Sequence, residues 1–111
     1  MTPNKVIELV DSVKPNSYDE EMKFRWINEL EGIVKRQVIQ EDEYIPYLYP
    51  QEMDRELVVP IPYDNVYCLY VEAMIDYYNK EYQNYNNSVA MFEARFTDYK
   101  KDYIRRHQAK G

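Results

Sequence analysis

The sequence predicts an all-α fold: a small bundle of about four helices with an irregular, Pro- and Tyr-rich central arm. Three observations carry that expectation. Apolar residues recur at intervals of three and four in separate stretches along the chain. Only two glycines occur, one of them the last residue, which is poor material for the tight turns of an all-β chain. Pro46, Pro50, Pro60 and Pro62 then forbid continuous helix through the middle. At 111 residues and 45% hydrophobic content, the chain is sized for one globular domain spanning 1–111.

Thr2-Pro3 opens the first helix, a capping oxygen followed by proline at the first helical position. Val6, Ile7, Val10 and Val13 follow on one face, and Pro15-Asn16 ends it. Ser17 and Glu20 have the spacing of a capping box for the second helix. That helix carries Met22, Trp26, Leu30, Ile33 and Val34 on one face, with Lys23, Arg25, Glu29 and Glu31 placed elsewhere, and fades near Ile39. Residues 40–62 form the irregular arm, within which 51–56 has room for one helical turn. A segment this long with little regular structure is either functional or folded over its own bundle. Its Leu57-Val58-Val59 piece suits pairing as a strand with another chain, or simple closure of the core.

Helical spacing returns after Pro62 with Val66, Leu69, Tyr70, Ala73, Met74 and Tyr77, and ends near Glu81 or Tyr82. Asn84-Tyr85-Asn86-Asn87-Ser88 supplies side chains that cap the helix before and start the one after. The last helix repeats Val89, Phe92, Phe96, Tyr99 and Tyr103, a seam that should lie antiparallel on its predecessor. One long helix kinked near 84–87 is the alternative.

Catalytic patterns do not emerge. The sole histidine, His107, has no acid fixed beside it and reads as a solvated residue at a helix end. The sole cysteine, Cys68, lies among Tyr67, Leu69 and Tyr70 and reads as an inert, buried thiol. Glu72 and Asp76 are one turn apart, a spacing that hard cations such as Mg²⁺ or Ca²⁺ accept, yet lone acids off an apolar stripe ordinarily face water. Tyr77, Tyr78, Tyr82 and Tyr85 offer rings for stacking bases, but Asp76 and Glu81 beside them favour packing. The expectation is a binding protein with no catalytic residue, no metal and no cofactor.

Charge and tyrosine content point to interfaces. The formal net charge is -6, and there are 13 tyrosines, whose apolar rings and polar tips suit half-buried contact surfaces. Lys100, Lys101, Arg105, Arg106 and Lys110 cluster at one end with Asp102 as the lone acid. Such asymmetry suits head-to-tail contact between copies or a separate partner, and it also suits a helix end that complements its own dipole. The candidate interface residues are Tyr44, Tyr47, Tyr49, Arg55, Val58, Tyr63, Lys100, Lys101, Arg105 and Arg106. No apolar run approaches the ~20 residues that span a bilayer. With no leader-like start, the chain reads as cytoplasmic and not membrane-bound.

A family resemblance rests on longer runs. These are Asp19-Glu20-Glu21-Met22-Lys23-Phe24-Arg25-Trp26-Ile27-Asn28-Glu29-Leu30-Glu31-Gly32, then Tyr49-Pro50-Gln51-Glu52-Met53-Asp54-Arg55-Glu56-Leu57 and Pro60-Ile61-Pro62-Tyr63-Asp64. Tyr70-Val71-Glu72-Ala73-Met74-Ile75-Asp76-Tyr77 and Glu81-Tyr82-Gln83-Asn84-Tyr85-Asn86-Asn87-Ser88 complete them. Together they resemble a small protein of tailed phages and prophages of Gram-positive bacteria, itself similar to the head–tail connector, or head-completion adaptor, family. The resemblance implies a non-enzymatic structural subunit that forms an oligomeric ring beneath the portal protein and meets the adjacent head or tail completion protein. It implies assembly in the host cytoplasm and residence in the virion at the head–tail junction. DNA would pass through the ring without specific binding. No residue-level site carries over from the family. The alternative is a small phage-encoded regulatory protein that docks on a host factor.

Overall fold

The computed structural model describes residues 1–108. Four helices account for most of them: α1 (Pro3–Val13), α2 (Glu20–Ile33), α3 (Val66–Tyr78) and α4 (Tyr82–Gln108). No strand occurs among the described residues. The all-α expectation holds, with the irregular arm between α2 and α3.

Helix α1 starts as its sequence dictates: the Thr2 hydroxyl accepts from the Lys5 amide at 3.1 Å, and Pro3 follows the cap. Val6, Ile7 and Val10 are buried, whereas Val13 is 69% exposed because α1 ends as it leaves the core. Helix α2 is capped by Asp19 and not by Ser17; the Asp19 carboxylate accepts from the Met22 amide at 2.8 Å. An ionised oxygen binds a helix-terminal amide more strongly than a hydroxyl does, and its charge also meets the positive helix end. The helix continues into a π-helical stretch, Val34–Val38, and closes where Gln40 takes a φ of 66°.

The inner face of α2 differs from the predicted stripe: Met22, at the first turn, is exposed, Phe24 and Ile27 are buried beside Trp26 and Leu30, and two charged residues join them. Lys23 is buried, with its ammonium 2.8 Å from Asp11 and 3.2 Å from Asn16, so it stitches α2 to the end of α1. Glu31 is completely buried. A charge within an amphipathic pattern is read as solvent-facing until its partners are known, and these lie far away in sequence.

Helix α3 is the central element and is covered on two sides. Tyr67, Val71 and Ile75, spaced one turn apart, are fully buried with Val66. Tyr70 and Met74 lie on the side facing α4, and Tyr77 at the end is 49% exposed. The predicted stripe therefore describes one of the two packed sides. Helices α1 and α2 both pack on α3, while α4 packs chiefly on α3. The contacts Asp76–Ser88, Tyr70–Phe92 and Tyr63–Tyr99 run in opposite sequence directions, which makes α3 and α4 antiparallel.

The turn between them lies at residues 79–81, earlier than the Asn-rich stretch. The Glu81 amide donates to the Asp76 carbonyl and the Lys80 amide to the Tyr77 carbonyl, closing α3 with one wide bond nested around one narrow one. Lys80 takes the left-handed conformation, φ 61°, that this closure requires and that glycine or asparagine normally fills. The Asn-rich residues are thus ordinary helix, with Ser88 turned inward to donate to Asp76 at 2.9 Å. Lys80→Gly should therefore raise stability by about 0.5–1 kcal/mol. Urea unfolding followed by circular dichroism measures it, and an unchanged or lowered midpoint contradicts the assignment.

Candidate functional site

One turn of α2 holds both ends of the arm. Asn28, Glu31 and Gly32 share a side of the helix, and each meets the arm differently. The Asn28 amide pairs with the backbone of Tyr47 as a neighbouring strand would: its Oδ1 accepts from the Tyr47 amide at 2.9 Å and its Nδ2 donates to the Tyr47 carbonyl at 3.1 Å. The Tyr44 hydroxyl also donates to Asn28 Oδ1. Gly32 leaves room for the Tyr44 ring, since a Cβ there would lie 3.0 Å from Tyr44 Cδ2. Glu31 gathers the rest. Its Oε2 accepts from the Tyr47 hydroxyl at 2.8 Å and the Val58 amide at 3.0 Å, and its Oε1 accepts from the Tyr67 hydroxyl.

The Tyr67 hydroxyl in turn accepts from the Val59 amide, and the Leu57 amide donates to the Met1 carbonyl. All three amides of Leu57-Val58-Val59 are thereby spent inside the molecule, which leaves none for pairing with another chain. Tyr47, Leu57 and Val59 are buried, so this part of the arm closes the core.

Between α2 and the arm lies a groove of about 440 Å³. Phe24, Tyr44, Tyr47 and Tyr49 give it an aromatic lining that Pro46 completes, and Glu21, Arg25 and Glu29 stand along its helical side. Phe24 and Tyr49 pack ring against ring at 5.3 Å, and the Tyr49 hydroxyl donates to Glu20 at 3.2 Å. The predicted interface residues Tyr44, Tyr47 and Tyr49 thus come together here. Tyr47 is buried and Tyr44 and Tyr49 half-buried, so they form a wall and not a row of free side chains. Arg55 lies 4.3 Å over the Tyr47 ring and pairs with Glu52, and Val58 is half-buried beside Glu31.

The other predicted residues form a second group. Tyr63 packs against Tyr99 at 5.9 Å and shares the wall of a shallow depression with Lys101 and Arg105. Lys100 lies 5.0 Å over the Phe96 ring, while Arg105 and Arg106 both pair with Asp102. Asn28, Glu31 and Gly32 were missed by sequence reasoning. The available signal was Gly32 itself, because glycine inside a helix weakens it and often marks a close approach.

The residues weighed for chemistry are otherwise engaged. Asp76 is buried between the Lys14 ammonium at 2.8 Å and Ser88. Burial raises the Glu72 carboxyl, with Lys14 pulling it down and Asp76 pushing it up. Burial, with Glu72 and Asp64 nearby, pushes the Cys68 thiol up to about 11, away from a reactive thiolate. His107 stacks on Tyr103 at 3.8 Å and is exposed.

The tyrosines of the site share one electrostatic environment. Burial first, then the Glu31 carboxylate, pushes Tyr44 up to about 12 and Tyr47 and Tyr67 further in the same direction. Tyr70 and Tyr99 are each pushed up to about 12, mainly by burial. Among the described residues, no helix is long and apolar enough to cross a membrane. Compared with known proteins, the chain matches no family model, no curated protein and no solved structure.

Two outcomes follow from this geometry. Glu31→Ala leaves the half-buried Val58 amide and the buried Tyr67 hydroxyl without an acceptor, at roughly 1–3 kcal/mol each, so stability should fall by about 3 kcal/mol. Hydrogen exchange at the Val58 and Val59 amides should accelerate with it; a loss under about 1 kcal/mol would show that Glu31 is not the arm's anchor. The raised tyrosines act at alkaline pH. An unfolded tyrosine ionises near pH ~10, whereas these folded ones retain their protons to higher pH. Their contribution is complete below that value and is lost as pH climbs from about 10 towards 12. Urea midpoints measured across that interval should drop steadily, and a flat profile would contradict the burial of these hydroxyls.

Proposed function

We propose that this chain is a head–tail connector subunit of a tailed phage or prophage, a structural protein that assembles as a ring under the portal and joins it to the next completion protein. The observation that carries the reading is the pairing of two separate contact surfaces on one small helical body. One is the aromatic groove between α2 and the arm, bordered by Glu20, Glu21 and Glu29. The other is the end of α4, where Lys100, Lys101, Arg105 and Arg106 stand against Asp102. A subunit with neighbours on two sides needs two such surfaces, and each of them needs a fixed shape.

The arm supplies the fixed shape for the first. Its backbone is held by Asn28 and Glu31, so the groove is preformed and little ordering entropy is lost when a partner enters. Helix α4 supplies the second: 27 residues, roughly 40 Å long, with Tyr99 its only fully buried side chain among those described. The resemblance of the long runs quoted above to connector-like phage proteins supports the same reading, as does the negative balance of a subunit around a channel that lets DNA slide.

Deletion of the gene from an inducible prophage, with electron microscopy of the lysate, tests it. Separate tails and emptied heads are the expected result. Normal infectious particles would overturn the reading and favour a host-factor-binding protein.

A further inference from the structure

We infer that the groove between α2 and the arm receives the C-terminal turns of α4 from a second copy of this chain, making the contact between copies head-to-tail. The inference deepens the connector reading and rests on it.

Charge complementarity is the first argument. Glu20, Glu21 and Glu29 border the groove, and Glu41 and Glu43, just before Tyr44 in the chain, line an adjoining depression with it. Arg25, Lys35 and Arg55 are the cations in the same region, so acids outnumber bases there. The described end of α4 carries Lys100, Lys101, Arg105 and Arg106 against Asp102. Opposite potentials on two surfaces of one subunit steer copies into a single orientation.

Apolar complementarity is the second. Ile104, one turn after Lys100 and Lys101, is 51% exposed at the end of α4, an aliphatic side chain set among bases. The groove offers Phe24, Tyr44 and Tyr49 as its aromatic lining, a matching surface for that aliphatic side chain. A helix docking an apolar residue into an acid-edged groove is an established mode of recognition.

The topology makes the contact intermolecular. Helix α4 is held along α3 through Phe92, Phe96 and Tyr99 and lines no part of the groove. Groove and helix end are different surfaces, so the interface is heterologous. Such an interface generates a ring where the rotation closes and a filament where it does not.

The test uses the full chain and two charge-reversed variants, Glu21→Lys with Glu29→Lys in the groove, and Lys100→Glu with Lys101→Glu on α4. These positions are exposed, and circular dichroism with thermal melting verifies that both variants fold. In sedimentation velocity at low salt, the wild-type chain should associate as concentration rises. Each variant alone should associate about tenfold more weakly or worse. An equimolar mixture should recover association, because each variant supplies the surface that the other lacks. A wild-type chain that stays monomeric at every concentration overturns the inference, as do variants that associate like wild type or a mixture that does not recover. The connector reading is judged separately by the gene deletion: association that ignores these substitutions leaves that reading standing and removes only this contact.

Discussion

A carboxylate with no exposed surface sits where α2, α3 and the arm meet, and the arrangement of all three depends on it. Glu31 has lost its water and is bound instead by the hydroxyls of Tyr47 and Tyr67 and the amide of Val58. Burying such a group is costly unless its hydrogen-bonding capacity is filled, so the fold is stable only with the arm in place. The network is also cooperative in space. Tyr47 carries the near end of the arm, Val58 the far end, and Tyr67 the central helix, so one side chain ties together both ends of a segment that has no regular structure of its own. The groove inherits its shape from this anchor, as its aromatic wall is the outer side of the same pinned segment.

Much of the helical scaffold was legible because its signals are local. Thr2-Pro3 starts α1, the prolines break the middle, and Phe92, Phe96, Tyr99 and Tyr103 of the predicted seam pack on the core. What escaped has partners distant in sequence. Lys23 and Glu31 look like solvent-facing charges on a helix, and only Asp11, Asn16, Tyr47 and Tyr67 make their burial tolerable. The turn after α3 was hidden for another reason: Lys80 occupies a backbone conformation that its side chain does not favour, so tertiary packing overrode the local preference that pointed to the asparagines.

The candidate site was legible in part. The run of tyrosines and prolines marked the right segment, and the sequence left open whether that segment was display or closure. Both descriptions apply, at different residues. Tyr47, Leu57 and Val59 close the core, while Tyr44 and Tyr49 wall the groove and Ile45 and Leu48 are exposed. Composition cannot separate these roles, since a tyrosine that donates to a buried carboxylate and one that faces a groove are the same letter. The bases of α4 were visible as a cluster, but Asp102 takes up two of them, and that follows from helical spacing that becomes certain only once the helix is known to continue so far.

The missing side chain at Gly32 ties two distant positions into one unit of inheritance. Tyr44 lies against α2 because nothing projects there; any β-carbon would meet its ring at 3.0 Å. A lineage of this chain cannot alter either position freely. A larger residue at 32 calls for a smaller one at 44, and a smaller residue at 44 opens a hole that a side chain at 32 can fill. The two should drift together across related chains, twelve residues apart in the sequence and adjacent in the fold.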